Sequence, residues 1–406
     1  MPPVTLRRLL LLALAVASLA LPATAQAAAP QRSLVVGAAE TAAEVPDPVL
    51  ASLKMALAKN AGFSAIRLSA TWSPGQTAPA DADLTALQNA ALAADLAGIA
   101  AVVSIDHGGS SRTPLTADAR AQYAQVAAAL AKALPTVHSF IIGNEPNLNR
   151  FWMPQFGPRG RDLAAPAYEA LLAQAYDALK AVSPAIEVIG GAVSPHGSDN
   201  PRAPRQTHSP TVFILDLGAA YRRSGRTRPI MDAFALHPYG ASSSVSPAVV
   251  HPRSTTITIA DYPKLVKLLD RAFRRTAQPG ARLPIVYAEY GIQTQIPADK
   301  LGVYTNVGVP TAGDAVDESV QGVYYRQAIK LAYCQATVKA LFFFHVSDEA
   351  DLDRWQSGVY YADDTPKSDL GAVRYTANAA QAGLLGRCPK QKPKPKAKPG
   401  RPKRRR

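Results

Sequence analysis

Residues 100–145 read AAVVSIDHGGSSRTPLTADARAQYAQVAAALAKALPTVHSFIIGNE and contain two short apolar runs separated by a longer Ala-rich stretch. The runs AAVVSID (100–106) and SFIIGNE (139–145) have the length and the Val/Ile content of buried strands. The stretch DARAQYAQVAAALAKAL (118–134) repeats its apolar positions with a helical period. A strand, a helix and a second strand in this order predict two parallel strands with a helix packed on one face of them.

The same order of strand and helix recurs along the chain and gives eight strands in total. The other six candidate strands are LVVGAA (34–39), AIRLSATW (65–72), EVIGGAV (187–193), DAFALHP (232–238), PIVYAEYG (284–291) and ALFFFHV (340–346). Further helical segments are found at 48–62, 82–98, 166–182, 261–276 and 319–334. Eight such units close a barrel. The predicted fold class is therefore α/β, a single (β/α)8 TIM barrel over residues 34–388.

An open, doubly wound sheet is the competing fold. Such a sheet usually has a glycine-rich phosphate-binding turn after its first strand, where this chain has GAAETAAEVPD (37–47). Neither a GxGxxG nor a Walker pattern occurs in the sequence. The closed barrel is the simpler interpretation.

The two ends of the chain are predicted to lie outside the barrel. Residues 1–29 combine Arg7 and Arg8 with an apolar run that is too short to span a bilayer and is followed by small residues, which is the pattern of a signal peptide. Residues 389–406 contain ten Lys or Arg, no acid and several prolines, so they predict a disordered tail. A secreted protein, extracellular or associated with the cell surface, is expected.

Most of the positive charge of the chain belongs to these ends. The formal net charge of +14 falls to +2 when the ten charges of the tail and the two arginines of the signal peptide are removed, so the barrel itself is nearly neutral. Outside a cell, the first anions that a basic tail meets are cell-wall polymers, phospholipid head groups and acidic glycans. We expect an anionic cell-wall polymer as the partner of the tail, with a merely solvated tail as the alternative. Nucleic acid is not expected.

The chain contains two cysteines, Cys334 and Cys388. In the predicted barrel they end the seventh and eighth helices, which are neighbours in the outer ring and finish on the same face. An exported protein can form disulfides. A bond between these two cysteines is expected, and two buried free thiols are the alternative.

The active site of a (β/α)8 barrel lies at the C-terminal ends of its strands, so polar residues at these ends are candidates for chemistry. They are Arg67, Asp106, His107, Asn144, Glu145, His237, Tyr239, Glu289, His345 and Asp348. Glu145 and Glu289 stand out because each follows an apolar run, on strands four and seven, which face each other across the mouth of the barrel. Hydrolysis of a glycosidic bond needs two carboxyl groups that flank one cleft, one to protonate the leaving oxygen and one to attack or to activate water.

Four short motifs strengthen this interpretation: IRLS (66–69), GNEPN (143–147), HPY (237–239) and YAEYG (287–291). Through them the chain, from about residue 34 to residue 386, resembles the retaining (β/α)8 glycoside hydrolases of clan A, with families 5 and 39 the most similar. The Asn-Glu-Pro of strand four, together with a Glu on strand seven, is the most specific part of the resemblance.

The resemblance implies a role for each of the two acids. Glu145 would be the general acid/base, and Glu289 would be the nucleophile of a double displacement through a covalent glycosyl-enzyme. His237 and Tyr239 would orient the two acids. The expected enzyme is a glycosidase that hydrolyses O-glycosyl bonds of a polysaccharide or oligosaccharide.

The resemblance also implies substrate contacts. Asn144 would hydrogen-bond the sugar 2-hydroxyl, and Arg67 would keep the nucleophile ionised by its charge. Trp72 and Trp152 lie just beyond strand ends, where they either stack on sugar rings or pack within the loops. His107 either lines the cleft or satisfies its own loop.

The chain departs from the clan A pattern at strand eight. Clan A enzymes commonly have a Trp there as the floor of the sugar site, whereas this chain reads LFFFHVSDE (341–349). Either Phe344 or His345 takes that place, or Trp355 folds back from the following loop.

Other functions are less consistent with the sequence. The seven histidines show neither HExxH nor another paired ligand spacing, so no metal or other cofactor is expected. An aldolase would need a strand-end Lys for a Schiff base, and the predicted strand ends supply none. A catalytically silent barrel that binds glycans or the cell wall is the alternative function. A monomer is expected.

Overall fold

The computed structural model describes residues 32–308 and 314–388. The predicted signal peptide (1–29) and the predicted tail (389–406) lie outside the described residues.

Within the described residues, eight parallel strands form a closed barrel in which each strand pairs with the next and the last pairs with the first. The strands are β1 (Val35–Ala39), β2 (Ala65–Thr71), β3 (Ala100–Asp106), β4 (Ser139–Ile142), β5 (Glu187–Val193), β6 (Ala233–Leu236), β7 (Ile285–Tyr290) and β8 (Val338–Phe344). All eight predicted strands are confirmed, and so is the (β/α)8 barrel.

An α-helix follows each strand in the described chain. The helices are α1 (Pro48–Asn60), α2 (Asp81–Leu96), α3 (Ala117–Ala133), α4 (Ala164–Val182), α5 (Pro210–Arg223), α6 (Tyr262–Phe273), α7 (Glu318–Tyr333) and α8 (Leu370–Gln381). Six of them match the helical segments found in the sequence, and α5 and α8 are the helices of the two remaining units, for which no segment was assigned. Short 3-10 helices lie at Ser110–Arg112, Pro158–Gly160, Ile259–Asp261 and Ala298–Val303.

Local sequence fixes where several helices begin. The side chain of Asp47 accepts hydrogen bonds from two backbone N–H groups in the first turn of α1, and Thr116 and Ser209 cap α3 and α5 in the same way. These caps satisfy N–H groups that have no partner within the helix. The strand-to-helix connections therefore end at defined residues, which fixes the loops at the mouth of the barrel.

The hydrophobic core has two parts. Most of it lies between the barrel and the helices, and a smaller cluster fills the interior of the barrel. The interior cluster consists of Ala65, Val102, Ile141, Ile189, Ala192, Ala233, Ala235, Val286, Ala288, Ala340 and Phe342. The interior is a packed core rather than a channel, so a ligand can enter only from the ends of the barrel.

The predicted disulfide is present. Cys334, at the C-terminal end of α7, is bonded to Cys388, which follows α8. The bond ties the end of the described barrel to its outer ring of helices. Among the described residues, no helix has the length and apolarity needed to cross a bilayer.

Candidate active site

A cleft of about 580 Å3 opens at the C-terminal ends of the strands. Among the residues predicted from the sequence, Arg67, Asn144, Glu145, Tyr239, Glu289 and Trp355 line it, as do the strand-end candidates Asp106 and His345. They come from six different strand ends and from the loop after β8. The barrel thus brings together side chains that lie far apart in sequence.

The backbone turns sharply where β4 ends. Gly143 (φ 78°) and Glu145 (φ 39°) both have positive φ, so the strand stops at Ile142 rather than at the predicted residue 145. The N–H of Glu145 donates to the carbonyl of Ala192, at 2.8 Å, within an irregular part of β5. A glutamate in the left-handed region is strained. The hydrogen bond to β5 helps to hold this carboxylate in place.

Asn147 fixes the loop that carries Glu145. Its side chain is fully buried and donates from Nδ2 to the carbonyls of Ser194, His196 and His208, at 2.9 to 3.3 Å. Its Oδ1 accepts from the N–H of Ser194 at 2.9 Å. The loop after β4 is therefore bound directly to the loop after β5.

His237 lies between the two carboxylates. Its Nδ1 is 3.1 Å from Oε1 of Glu145 and 3.4 Å from Oε2 of Glu289. The separation of these two oxygens therefore cannot exceed the sum of the two distances, about 6.5 Å. The ring is completely buried. A single imidazole thus orients both acids.

Glu289 has further polar partners. Nη2 of Arg67 lies 2.5 Å from its Oε1, and the hydroxyl of Tyr239 donates to its Oε2 at 3.1 Å. Burial by itself raises the pKa of Glu289, but the charges of His237 and Arg67 and the hydrogen bonds from Arg67 and Tyr239 outweigh it. The pKa of Glu289 is therefore held below its ordinary value, and the side chain is ionised at neutral pH.

An aromatic group forms one wall of the cleft beside Glu289. The ring of Trp355 lies 5.4 Å from that of Phe344 and 5.4 Å from that of Tyr239, measured between centroids. Trp355 is half-buried and lines the cleft. Of the alternatives for the position of the clan A Trp, the structure thus places Trp355 next to Phe344, folded back from the loop.

Three of the predicted substrate contacts belong to the packed interior instead. Trp72 and Trp152 have no exposed surface; Trp72 packs on Tyr123, and Trp152 packs on Tyr168 and His107. His107 is also buried, and its Nε2 bonds the carbonyl of the residue before Trp152, at 2.6 Å. Burial lowers the pKa of His107. Of the two alternatives given for each of the three, burial favours packing within the loops, because a buried ring offers no face to a sugar.

Two glutamates that were not among the candidate residues also line the cleft. Glu40 follows β1, and Glu349 lies in the loop after β8 together with His345, which is one of the strand-end candidates. Glu40 could have been found by applying the strand-end rule to β1. Glu349 could not, because it lies five residues beyond its strand.

Scans against family models and against curated protein sequences found no match. Solved structures do match. A glucosidase from Croceicoccus marinus has a TM-score of 0.58 at 15% identity, over 86% of this chain and 68% of that chain. A GH5_18 protein from Streptomyces cattleya has a TM-score of 0.54 at 15% identity, over 86% of this chain and 81% of that chain. A GH39 β-xylosidase from Caulobacter crescentus has a TM-score of 0.51 at 17% identity, over 85% of this chain and 71% of that chain.

The comparisons and the structure agree on the fold. The chain is a (β/α)8 barrel of the kind found in clan A glycoside hydrolases, as the sequence motifs predicted. At these levels of identity the comparisons establish the fold. The chemistry is argued from the residues of the cleft.

Proposed function

We propose that the protein is a retaining glycoside hydrolase with Glu289 as nucleophile and Glu145 as general acid/base. The observation that carries the proposal is the position of His237 Nδ1, within 3.4 Å of an oxygen of each acid. Retention needs carboxyl groups about 5 to 5.5 Å apart, whereas inversion needs about 6.5 to 9.5 Å. The upper limit of about 6.5 Å on one pair of oxygens favours retention.

In the first step, a carboxylate oxygen of Glu289 attacks the anomeric carbon. The bond to the leaving-group oxygen breaks while protonated Glu145 donates its proton to that oxygen. Arg67 and Tyr239 support the ionised nucleophile before the attack, because they hold its two oxygens. The products of this step are a glycosyl ester on Glu289 and the released aglycone.

In the second step, Glu145 has become a carboxylate and acts as the base. It takes a proton from a water molecule, whose oxygen attacks the anomeric carbon and displaces Glu289. The esterified Glu289 carries no negative charge, so His237 then faces only one anionic acid. The sugar leaves with its original anomeric configuration, and both acids return to their starting states.

Asn144 is proposed to bind the substrate. It is half-buried beside Glu145, it lines the cleft, and its side chain has no hydrogen-bond partner among the described residues. An amide there can contact the 2-hydroxyl of the sugar next to the scissile bond, an interaction that strengthens in the transition state.

Export and surface retention are part of the proposal. The composition of residues 1–29 supports a signal peptide, and the disulfide between Cys334 and Cys388 is consistent with an oxidising compartment. Residues 389–406 are proposed to hold the secreted enzyme on an anionic cell-wall polymer. The proposed substrate is a polysaccharide or oligosaccharide, since the solved structures that share the fold include a glucosidase, a β-xylosidase and an exo-β-1,4-mannosidase.

The test is chemical rescue of Glu289→Gly. Purified wild-type protein is first screened on aryl glycosides of arabinose, xylose, glucose, mannose and galactose. The variant should lose at least about 1,000-fold in kcat on the best substrate, and azide should restore turnover and yield a glycosyl azide. Glu187→Gln, at the opposite end of a strand, should retain wild-type activity. Proton NMR should show a product with retained configuration.

Two results would contradict the proposal. Product of inverted configuration would exclude the double displacement, and a Glu289→Gly protein that is folded and fully active would exclude this nucleophile. Absence of turnover on every glycan, combined with tight glycan binding, would favour the catalytically silent barrel instead.

A further inference from the structure

A second cluster of charges lies in the wall of the cleft, after β8. His345 has a φ of 81°, is buried, and donates its backbone N–H to the carbonyl of Ala39 at 3.0 Å. Its Nδ1 lies 3.9 Å from Oε1 of Glu40, and its Nε2 lies 3.6 Å from Oε2 of Glu349. The imidazole is thus placed between two carboxylates by a strained backbone conformation.

Glu40 is the structural partner of this cluster. Its Oε1 accepts from the N–H of Ala42 at 2.8 Å, and its Oε2 accepts from those of Val346 and Ser347 at 3.0 and 3.3 Å. Burial by itself raises the pKa of Glu40, but His345 and these backbone donors lower it below the ordinary value. Glu40 is therefore a fixed anion with its acceptors occupied by the protein.

His345 carries a positive charge at neutral pH. Its burial lowers its pKa, but Glu349 and Glu40 outweigh this effect and raise the pKa to about 9. Both contacts are nevertheless longer than a hydrogen bond, and Nε2 has no hydrogen-bond partner among the described residues. The imidazolium thus holds the two carboxylates by charge, without a hydrogen bond to either of them.

Glu349 is the member of the cluster that is open to the cleft. Its side chain is 36% exposed. Its Oε2 accepts from the N–H of Trp355 at 2.9 Å, whereas its Oε1 has no hydrogen-bond partner among the described residues. The carboxylate is thus fixed by one oxygen, through Trp355 and His345, and presents the other.

The position of Glu349 in the cleft indicates which of the two sugars at the scissile bond it faces. The sugar whose anomeric carbon is attacked must lie against the nucleophile, Glu289. The aromatic wall of Tyr239, Phe344 and Trp355 stands on that side, and the cluster follows directly from β8, the neighbour of β7. Glu349 therefore lies on the side of the glycone, the sugar that becomes bound to the enzyme.

We propose that Glu349 determines specificity by accepting hydrogen bonds from hydroxyl groups of the glycone, with His345 as its positioning residue. This inference rests on the proposed function and deepens it. In place of an aromatic floor alone, the glycone site has an anchored carboxylate beside the ring of Trp355. A carboxylate that accepts from a sugar hydroxyl forms a charge-assisted hydrogen bond, which is stronger than a neutral one.

The test combines substitutions with deoxygenated substrates. The aryl glycoside that the wild type hydrolyses best is compared with its analogues lacking one glycone hydroxyl at a time, in wild type, Glu349→Gln and His345→Asn. Asn is chosen at 345 because it tolerates a positive φ. Asp363→Asn, an acid-to-amide change in the same long loop but outside the cleft, is the matched control.

The expected result is a loss of discrimination at particular hydroxyls. In the wild type, removal of the hydroxyl bound by Glu349 should lower kcat/KM by roughly 10- to 100-fold. Glu349→Gln and His345→Asn should hydrolyse the parent substrate about 10-fold more slowly, and should distinguish that analogue from the parent by less than about 5-fold. Asp363→Asn should behave like the wild type. A purely structural role of His345 would lower activity on all analogues by one common factor.

Calorimetry with the free monosaccharide tests the proposal by binding alone, without turnover. Glu349→Gln should bind the glycone sugar about 10-fold more weakly than the wild type. Two results would overturn the proposal for Glu349. One is equal affinity of Glu349→Gln and the wild type for the monosaccharide. The other is a ratio of kcat/KM between the parent substrate and each deoxygenated analogue that is the same in the variants as in the wild type. An inactive wild type that binds the sugar through Glu349 would instead contradict the proposed hydrolysis and leave the binding site standing.

Discussion

Replacement of Arg67 by Met should move the acid limb of the activity profile to higher pH. Arg67 lies 2.5 Å from Glu289, and both side chains are largely buried, so their interaction is poorly screened by solvent. The positive charge favours the ionised form of Glu289, and its pKa is below the ordinary value in the folded protein. Without Arg67 the pKa of Glu289 rises, and a higher pH is needed to ionise this proposed nucleophile.

The size of the shift can be bounded. Two unit charges about 4 Å apart interact by about 4 kcal/mol at an effective dielectric constant near 20, which corresponds to roughly 3 pH units. His237 and Tyr239 still face Glu289 in the variant. We therefore expect a shift of about 1 to 2 units, in the lower part of the range seen for carboxylates beside an arginine.

The assay is kcat/KM against pH on an aryl glycoside, because this profile reports ionisations of the free enzyme. The two acids share His237, so the measured acid limb belongs to the coupled pair. Arg226→Met is the matched control, since Arg226 forms a similar pair with Asp177 outside the cleft. An Arg67→Met enzyme with lower activity and an unmoved acid limb would refute the reasoning.

Two further predictions concern stability. Lys367→Met should lower the free energy of unfolding by about 3 to 5 kcal/mol in urea titrations, because it leaves the fully buried Asp348 without its cation. Lys300→Met, which breaks a more exposed pair, should cost less than about 1 kcal/mol, and equal effects of the two changes would contradict the prediction. Replacement of Cys334 and Cys388 by Ser should lower the free energy of unfolding by about 4 kcal/mol, since the bond closes a loop with a sequence separation of 54. A double Ser variant with the same urea midpoint and slope as the wild type would contradict that estimate.

The strands of the barrel could be predicted from the sequence for a physical reason. Strands that are buried on both faces read as continuous apolar runs, which stand out from amphipathic helices. The early end of β4 is harder to predict from the sequence, because the positive φ at Glu145 depends on its hydrogen bond to β5. Helix α5 is also hard to predict from the sequence, because a long connection separates it from β5 and the end of that strand does not mark where the helix begins.

The meeting of Glu145 and Glu289 in one cleft could also be predicted, because barrel topology alone brings the ends of β4 and β7 to one mouth. The direction of loop side chains could not. Trp72 and Trp152 lie at the expected chain positions, yet both rings turn into the core. The link between His345 and Glu349 was likewise hidden, since it depends on the left-handed backbone at residue 345.

The anchoring of the acid loop by Asn147 has a consequence for how new specificities could be built on this scaffold. The side chain of Asn147 closes the junction between two loops two residues after Glu145, and its partners there are backbone groups of Ser194, His196 and His208. The side chains at 194 and 196, which line the cleft, can therefore be varied without removing the hydrogen bonds that hold the loop of Glu145. The support of this carboxylate is thus independent of the neighbouring side chains that face the cleft.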